Sequence, residues 1–136
     1  MVYATIELIN AMDVSDARRH VIGEDGIRRT DVRMLVGNGA YMLCINENIQ
    51  TYLKLPVRER RQCEIARGKW LKCDVVGPVE IKFGNRRGTC SAYVLPGDSE
   101  PLLGSIPFGQ LDVVIDVVVQ EMIVNPKHPD GAVHRI

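Results

Sequence analysis

The sequence has no surplus charge of either sign, because 17 Lys and Arg balance 17 Asp and Glu. It therefore lacks the basic footprint that nucleic acid or an anionic membrane surface would demand, and neither partner is expected. Long apolar runs are also missing. The longest, Val113 to Val119, is interrupted by Asp116 and falls well short of a bilayer span. The N-terminus shows no basic region followed by an apolar core, so no secretory signal is expected and a cytoplasmic location is the default. The four cysteines, Cys44, Cys63, Cys73 and Cys90, have no C-x-x-C spacing, and His20, His128 and His134 lie far from them in the chain. That excludes the usual zinc patterns and leaves small buried thiols as the expected state, ahead of disulfides. There is no G-x-S-x-G elbow, no local Cys-His signature, no P-loop and no G-x-G-x-x-G, so no cofactor and no metal are expected. Internal repeats and low-complexity segments are absent.

What is present is a globular composition, 46% hydrophobic and 25% charged over 136 residues, the size of one domain with its own core. Val2, Ala4, Ile6 and Leu8 alternate with Tyr3, Thr5 and Glu7, the period of a strand. Residues 11–29 are charged and broken by Gly23 and Gly26, and they read mainly as a surface insertion with one helical turn at most. Thr30 to Val36 returns as a strand and runs into Gly37-Asn38-Gly39. After a buried strand from Tyr41 to Ile45, Asn46 is a good N-cap for a helix through Ile49, Tyr52 and Leu53 that Pro56 ends. Val57–Ala66 and Trp70–Val76 are extended stretches joined through Arg67-Gly68-Lys69, a hairpin. The charge cluster Arg58, Arg60, Arg61, Arg67, Lys69 and Lys72, interleaved with Glu59, Glu64 and Asp74, reads as a solvated face. Gly77-Pro78 predicts a break or bulge, and Gly84 to Gly88 a turn. Strands are expected at Val79–Phe83, Thr89–Leu95, Val113–Ile115 and Gln120–Asn125. A second short helix covers about Ile106 to Leu111, with Ser105 as its cap, and residues 126–136 form a tail. Many short strands with two short helices predict a mainly β, barrel-like domain.

Two motifs carry more. Leu35-Val36 enter a Gly37-Asn38-Gly39-Ala40 turn, and about sixty residues later Leu102-Leu103-Gly104 precedes a short helix. The pair, in this order and separation, resembles the retroviral-type (retropepsin-like) aspartic peptidases. In that family an apolar strand runs into Asp-Thr-Gly-Ala or Asp-Ser-Gly-Ala, and two apolar residues with a Gly later close beneath it. Leu55-Pro56 is similar to the Leu-Pro of cellular and bacterial members. The resemblance covers nearly the whole chain, with residues 11–29 and the tail as extras. It implies a closed retropepsin-like β barrel with two short helices, a flap hairpin tipped by Arg67, Gly68, Lys69 and Trp70, and an active-site loop at Gly37, Asn38, Gly39 and Ala40. It also implies substrate contacts from the flap and from Leu102, Leu103 and Gly104, a homodimer, and a peptide or protein ligand. The C-terminal strands would join the dimer interface.

The chain departs from the family where its chemistry lies. Gly37 stands at the catalytic Asp, and Asn38 at the Thr or Ser. Aspartic peptidases place two carboxylates side by side so that they share one proton, one accepting a proton from water while the other holds the substrate carbonyl. One short domain supplies one such loop, and a two-fold partner supplies the second. Glycine has no proton to share. Asp31, about 20 Å upstream along an extended strand, and Asp98, Asp112 and Asp116 are poor substitutes. The first reading is an inactive, dimeric peptide-binding or scaffold protein of this fold. The second is an active-site-altered form of a genuine aspartic endopeptidase, and the third an unrelated small β barrel.

Overall fold

The computed structural model describes residues 1–37, 39–65 and 68–136. Strands hold 48% of the chain and helices 20%, so the class is mainly β, as the alternation predicts. Strand β1, Tyr3–Asn10, turns Ala4, Ile6 and Leu8 inward, and strand β2, Arg29–Val36, pairs antiparallel to it from Tyr3↔Leu35 to Ile9↔Arg29.

Between them stands helix α1, Ala11–Arg18, where the sequence predicts a surface insertion. This is a correction with a physical cause. The Asn10 side chain accepts from the Asp13 N–H (3.1 Å), capping the helix, and donates to the carbonyl of Leu53 at 2.9 Å. Asp13 is buried and takes Arg28 in a two-pronged pair, with Nη2 to Oδ1 at 2.8 Å and Nε to Oδ2 at 2.9 Å. The charges that suggest a solvated excursion are in part the clamp that fastens it.

Strand β3, Leu43–Asn46, is buried throughout and leads to helix α2, Glu47–Leu53, whose N-cap is Asn46 (accepting from the Ile49 N–H at 2.9 Å). The helix stops before Pro56, at Lys54, whose φ of 50° is left-handed. Strands β4, Val57–Ile65, and β5, Lys69–Phe83, form a hairpin in register from Val57↔Val76 to Ile65↔Lys69. Of the break or bulge expected at Gly77-Pro78, the structure has the bulge, a register shift within one long strand that continues across it to new partners. Strand β6, Arg86–Leu95, begins earlier than expected, and the turn shrinks to Gly84-Asn85. The two-residue strand β7, Leu102–Leu103, helix α3, Ser105–Leu111, and strands β8, Val113–Asp116, and β9, Glu121–Val124, complete the chain. Ser105 lies inside α3 rather than capping it, and Gly104 precedes it without a side-chain cap bond. With α1 counted, the described residues form three α-helices rather than two.

The large sheet has the order β1-β2-β7-β3-β6-β5-β4. It is mixed, with parallel pairs β2/β7 and β3/β6, and β1 also lies antiparallel to β5 from Glu7↔Lys82 to Asn10↔Val79. Ile6, Leu8, Met34, Leu43, Ile45, Val76, Val79, Ile81, Leu103 and Leu111 have almost no exposed surface and form one core with Leu53 of α2. Each such side chain contributes about 1.5–3 kcal/mol on removal from water. The β8/β9 pair forms a separate two-stranded sheet with Val117, Val118 and Val119 exposed at its tip.

Residues 126–136 are no free tail. Arg86, fully buried, donates through Nη2 to the carbonyl of His128 (2.5 Å) and through Nε to that of Asp112 (3.2 Å). Asn85 Nδ2 donates to the carbonyl of Pro129 at 2.8 Å. Arg86 sits where the sequence predicts a turn, and it is buried because a guanidinium can reach distant carbonyls that local pattern does not reveal.

Candidate functional site

Strand β2 delivers the Gly37 loop, and β7 with the start of α3 holds it. Leu35↔Leu102 and Val36↔Leu103 pair in parallel, and the Gly37 N–H donates to the Leu103 carbonyl at 3.0 Å. Further along, the Ser105 N–H donates to the carbonyl of Ala40 (3.1 Å), and the Ile106 N–H to that of Tyr41 (3.0 Å). The two motifs separated in sequence are therefore one hydrogen-bonded unit. The Leu-Leu-Gly element is also locked from its other side, since Leu43↔Leu103 and Cys44↔Leu102 pair antiparallel.

Gly37 and Gly39 both have positive φ, 79° and 77°, which favours glycine. A Cβ at either would meet nothing within 4 Å, so the loop is open on its outer side. Asn38 lies outside the described residues. Gly104 is the opposite case: a Cβ there would stand 2.3 Å from the Met42 carbonyl oxygen. Glycine at 104 lets two backbone segments touch. Leu103 has no exposed surface and serves the core, while Leu102 is half-buried. Beside the loop, Tyr41 and Ile106 are exposed apolar side chains.

The hairpin residues lie on a separate edge. Arg67 falls outside the described residues; Gly68 has φ 69° and open space at its Cβ position; Lys69 and Trp70 are exposed. Lys69 pairs with Ile65 and Trp70 with Glu64. Among the described residues no hydrogen bond joins Lys69 or Trp70 to the Gly37 loop or to Leu102–Gly104. Apart from Arg67, the charge cluster lies on the β4/β5 hairpin, where Arg58, Arg60, Arg61 and Lys69 are exposed, with Arg60 on Asp74 (3.1 Å) and Arg61 on Glu59.

Asp31 stands opposite Glu7 in the β1/β2 register, and among the described residues neither Asp31 nor Asp98 has a side-chain hydrogen bond or ion pair; Asp116 and Asp112 are engaged elsewhere. Asp116 accepts from the N–H groups of Val118 and Val119 within its own turn. Asp112 follows α3 with φ 50° and gathers the C-terminal segment. It accepts from Val133 N–H (3.0 Å), Asn125 Nδ2 (3.1 Å) and His128 Nδ1 (2.7 Å). These donors, the Val133 amide foremost, hold its carboxyl well below the usual range. The Arg28 hydrogen bond lowers the Asp13 carboxyl from its ordinary value. Sequence reasoning missed both clamps; the only prior signals are an Asn-x-x-Asp start at Asn10 and an Asp just beyond an expected helix.

Chemically, the loop offers backbone N–H and C=O groups, open space and no acid or base. Among the described residues no group of three or more His, Cys, Asp or Glu is arranged to hold a metal ion. No helix of the described residues is long and apolar enough to cross a membrane. No model of a known family matches this chain, and no curated protein matches it in sequence.

Proposed function

We propose that the chain is a retropepsin-like domain that has lost its catalytic carboxylate and binds extended peptide, as a homodimer, without cutting it. The observation that carries this reading is the bonding of the Gly37 loop to the Leu102-Leu103-Gly104 element, two motifs that the family uses together. The pairing circuit β1-β2-β7-β3-β6-β5 returning to β1 supports a closed barrel. One loop per chain makes half a site, and the exposed Tyr41 and Ile106 beside it supply apolar surface for a second copy. The β4/β5 hairpin is then the flap, with Trp70 near its tip. With Gly37 in both copies there is no proton-sharing pair, and the backbone groups that remain can orient a peptide but cannot activate water.

Space favours descent from a working peptidase, because a Cβ at Gly37 would meet nothing within 4 Å, while the φ of 79° strains any side chain placed there. Gly37→Asp combined with Asn38→Thr rebuilds Asp-Thr-Gly-Ala. The unmodified protein is expected to leave unfolded protein substrates intact, and the double variant to cut them in a pepstatin-sensitive way with an acidic optimum, where the dyad retains one proton. Pepstatin-sensitive cleavage by the unmodified protein, unchanged by Gly37→Ala, would overturn the non-catalytic reading. A double variant that folds and dimerises but cuts nothing would remove the descent argument and leave peptide binding to be measured by Trp70 fluorescence.

A further inference from the structure

Three of the four free cysteines gather on one face of the large sheet. Cys44 on β3 pairs with Tyr93 on β6, and Tyr93 with Val75 on β5. Cys73 lies two residues before Val75 on the same side of β5, and its direct partner on β4 is Arg61, whose Nη1 donates to the Tyr93 hydroxyl (3.2 Å). Cys63, two residues beyond Arg61, completes the set and stands diagonal to Cys73, each thiol facing a carbonyl of its own strand, Cys63 Sγ that of Arg61 (3.7 Å) and Cys73 Sγ that of Leu71 (4.0 Å). Cys44 and Cys73 are buried, whereas Cys63 is half-exposed on the outermost strand of the sheet.

We propose that Cys63 and Cys73 form a reversible intramolecular disulfide when the protein meets a low-molecular-weight disulfide. The two positions are diagonal neighbours, whose Cα atoms stand about 7–8 Å apart in an ideal antiparallel pair. A relaxed disulfide spans up to about 6.8 Å. Strand β4 must therefore shift slightly, which an edge strand held on one side allows. The residual strain makes the bond readily reduced, the behaviour of a switch rather than a permanent staple. Cys44 is not the partner: it lies on β3, with β6 between it and Cys73 and both β6 and β5 between it and Cys63.

The chemistry runs in two exchanges. The Cys63 thiolate attacks one sulfur of the small disulfide, forming a mixed disulfide and releasing one small thiolate. Cys73 then gives its proton to solvent, its sulfur attacks the Cys63 sulfur, and the second small thiolate leaves. Two electrons pass to the small disulfide, and the two protons from the protein end on its two thiols. The Cys73 thiol is pushed up to about 11, chiefly by burial and then by Cys63 beside it, so the second exchange is expected to speed up as pH rises. The bond would tie β4 to β5 below the Gly68 tip, independently of whether the hairpin serves a peptidase-like cleft.

The test is incubation of the native protein with oxidised glutathione, blocking of the remaining thiols, and peptide mapping by mass spectrometry. The expected result is loss of two of the four free thiols and one linked peptide pair, Cys63 with Cys73, which reduced glutathione reverses. Cys44→Ser should keep the link, and Cys73→Ala should stop at a glutathione adduct on Cys63. A stable adduct on Cys63 of the unmodified protein, a link through Cys44, or no reaction at all would each overturn the proposal.

Discussion

The two sides of the site, Gly37 with Gly39 on one and Gly104 on the other, are built on opposite principles. Around Gly37 and Gly39 the backbone needs positive φ, yet the space a side chain would fill is empty. At Gly104 the backbone is extended, φ −77°, and the space is taken by the main chain at Tyr41 and Met42. One side of the site is held by conformation alone, and the other by contact. The contact side is tied to the core through Leu103; the conformational side has room for a side chain, opposed only by its left-handed backbone. On the proposed function, that difference lets the loop lose its carboxylate while the element beneath it keeps its Leu-Leu-Gly.

Gly104→Ala should break the contact side most severely. The added methyl must push backbone rather than a flexible side chain, so a loss of about 3 kcal/mol is expected in urea unfolding. Unchanged stability would mean that the two segments do not touch.

The next largest effect should come from acid, acting on the far end of α3. Asp112 has a folded pKa below its ordinary value, so its contribution is fully present above the ordinary aspartate range and is lost as pH falls through that range and below. Asp13 has the same sign. The urea midpoint should therefore fall below about pH 4. In Asp112→Asn it should start lower at neutral pH and fall less steeply. Parallel curves for the two proteins would show that the Asp112 cluster does not hold the C-terminal segment.

The smallest effect should be Gly37→Ala. No atom stands in the way, and only the left-handed backbone opposes the methyl group, a cost of about 1–2 kcal/mol. A loss as large as that of Gly104→Ala would erase the contrast between the two sides.

The sequence makes the strands around the site legible because the alternation of Ala4, Ile6 and Leu8 and of Val32 and Met34 is strict, and the structure buries those residues. Asn46 was legible as a cap for the same reason: its chemistry is local. Helix α1 was not, since Ala11–Arg18 carries no apolar stripe and is held by Asn10 and by Arg28, fifteen residues from Asp13. Arg86 was not either, because its carbonyl partners lie 26 to 42 residues away. Of the site, the joining of Gly37–Tyr41 to Leu102–Ile106 could be anticipated from the paired motifs. The positive φ at Gly37 could only be allowed for, and the position of the hairpin relative to the loop had no local signal at all.

The proposed function rests on the Gly37 loop being half of a two-fold site. Sedimentation equilibrium of the unmodified protein at micromolar concentration tests that most directly. The expected result is a species of about twice 15.2 kDa that Tyr41→Lys with Ile106→Lys converts to monomer. A monomer of 15.2 kDa that persists as concentration rises would contradict it.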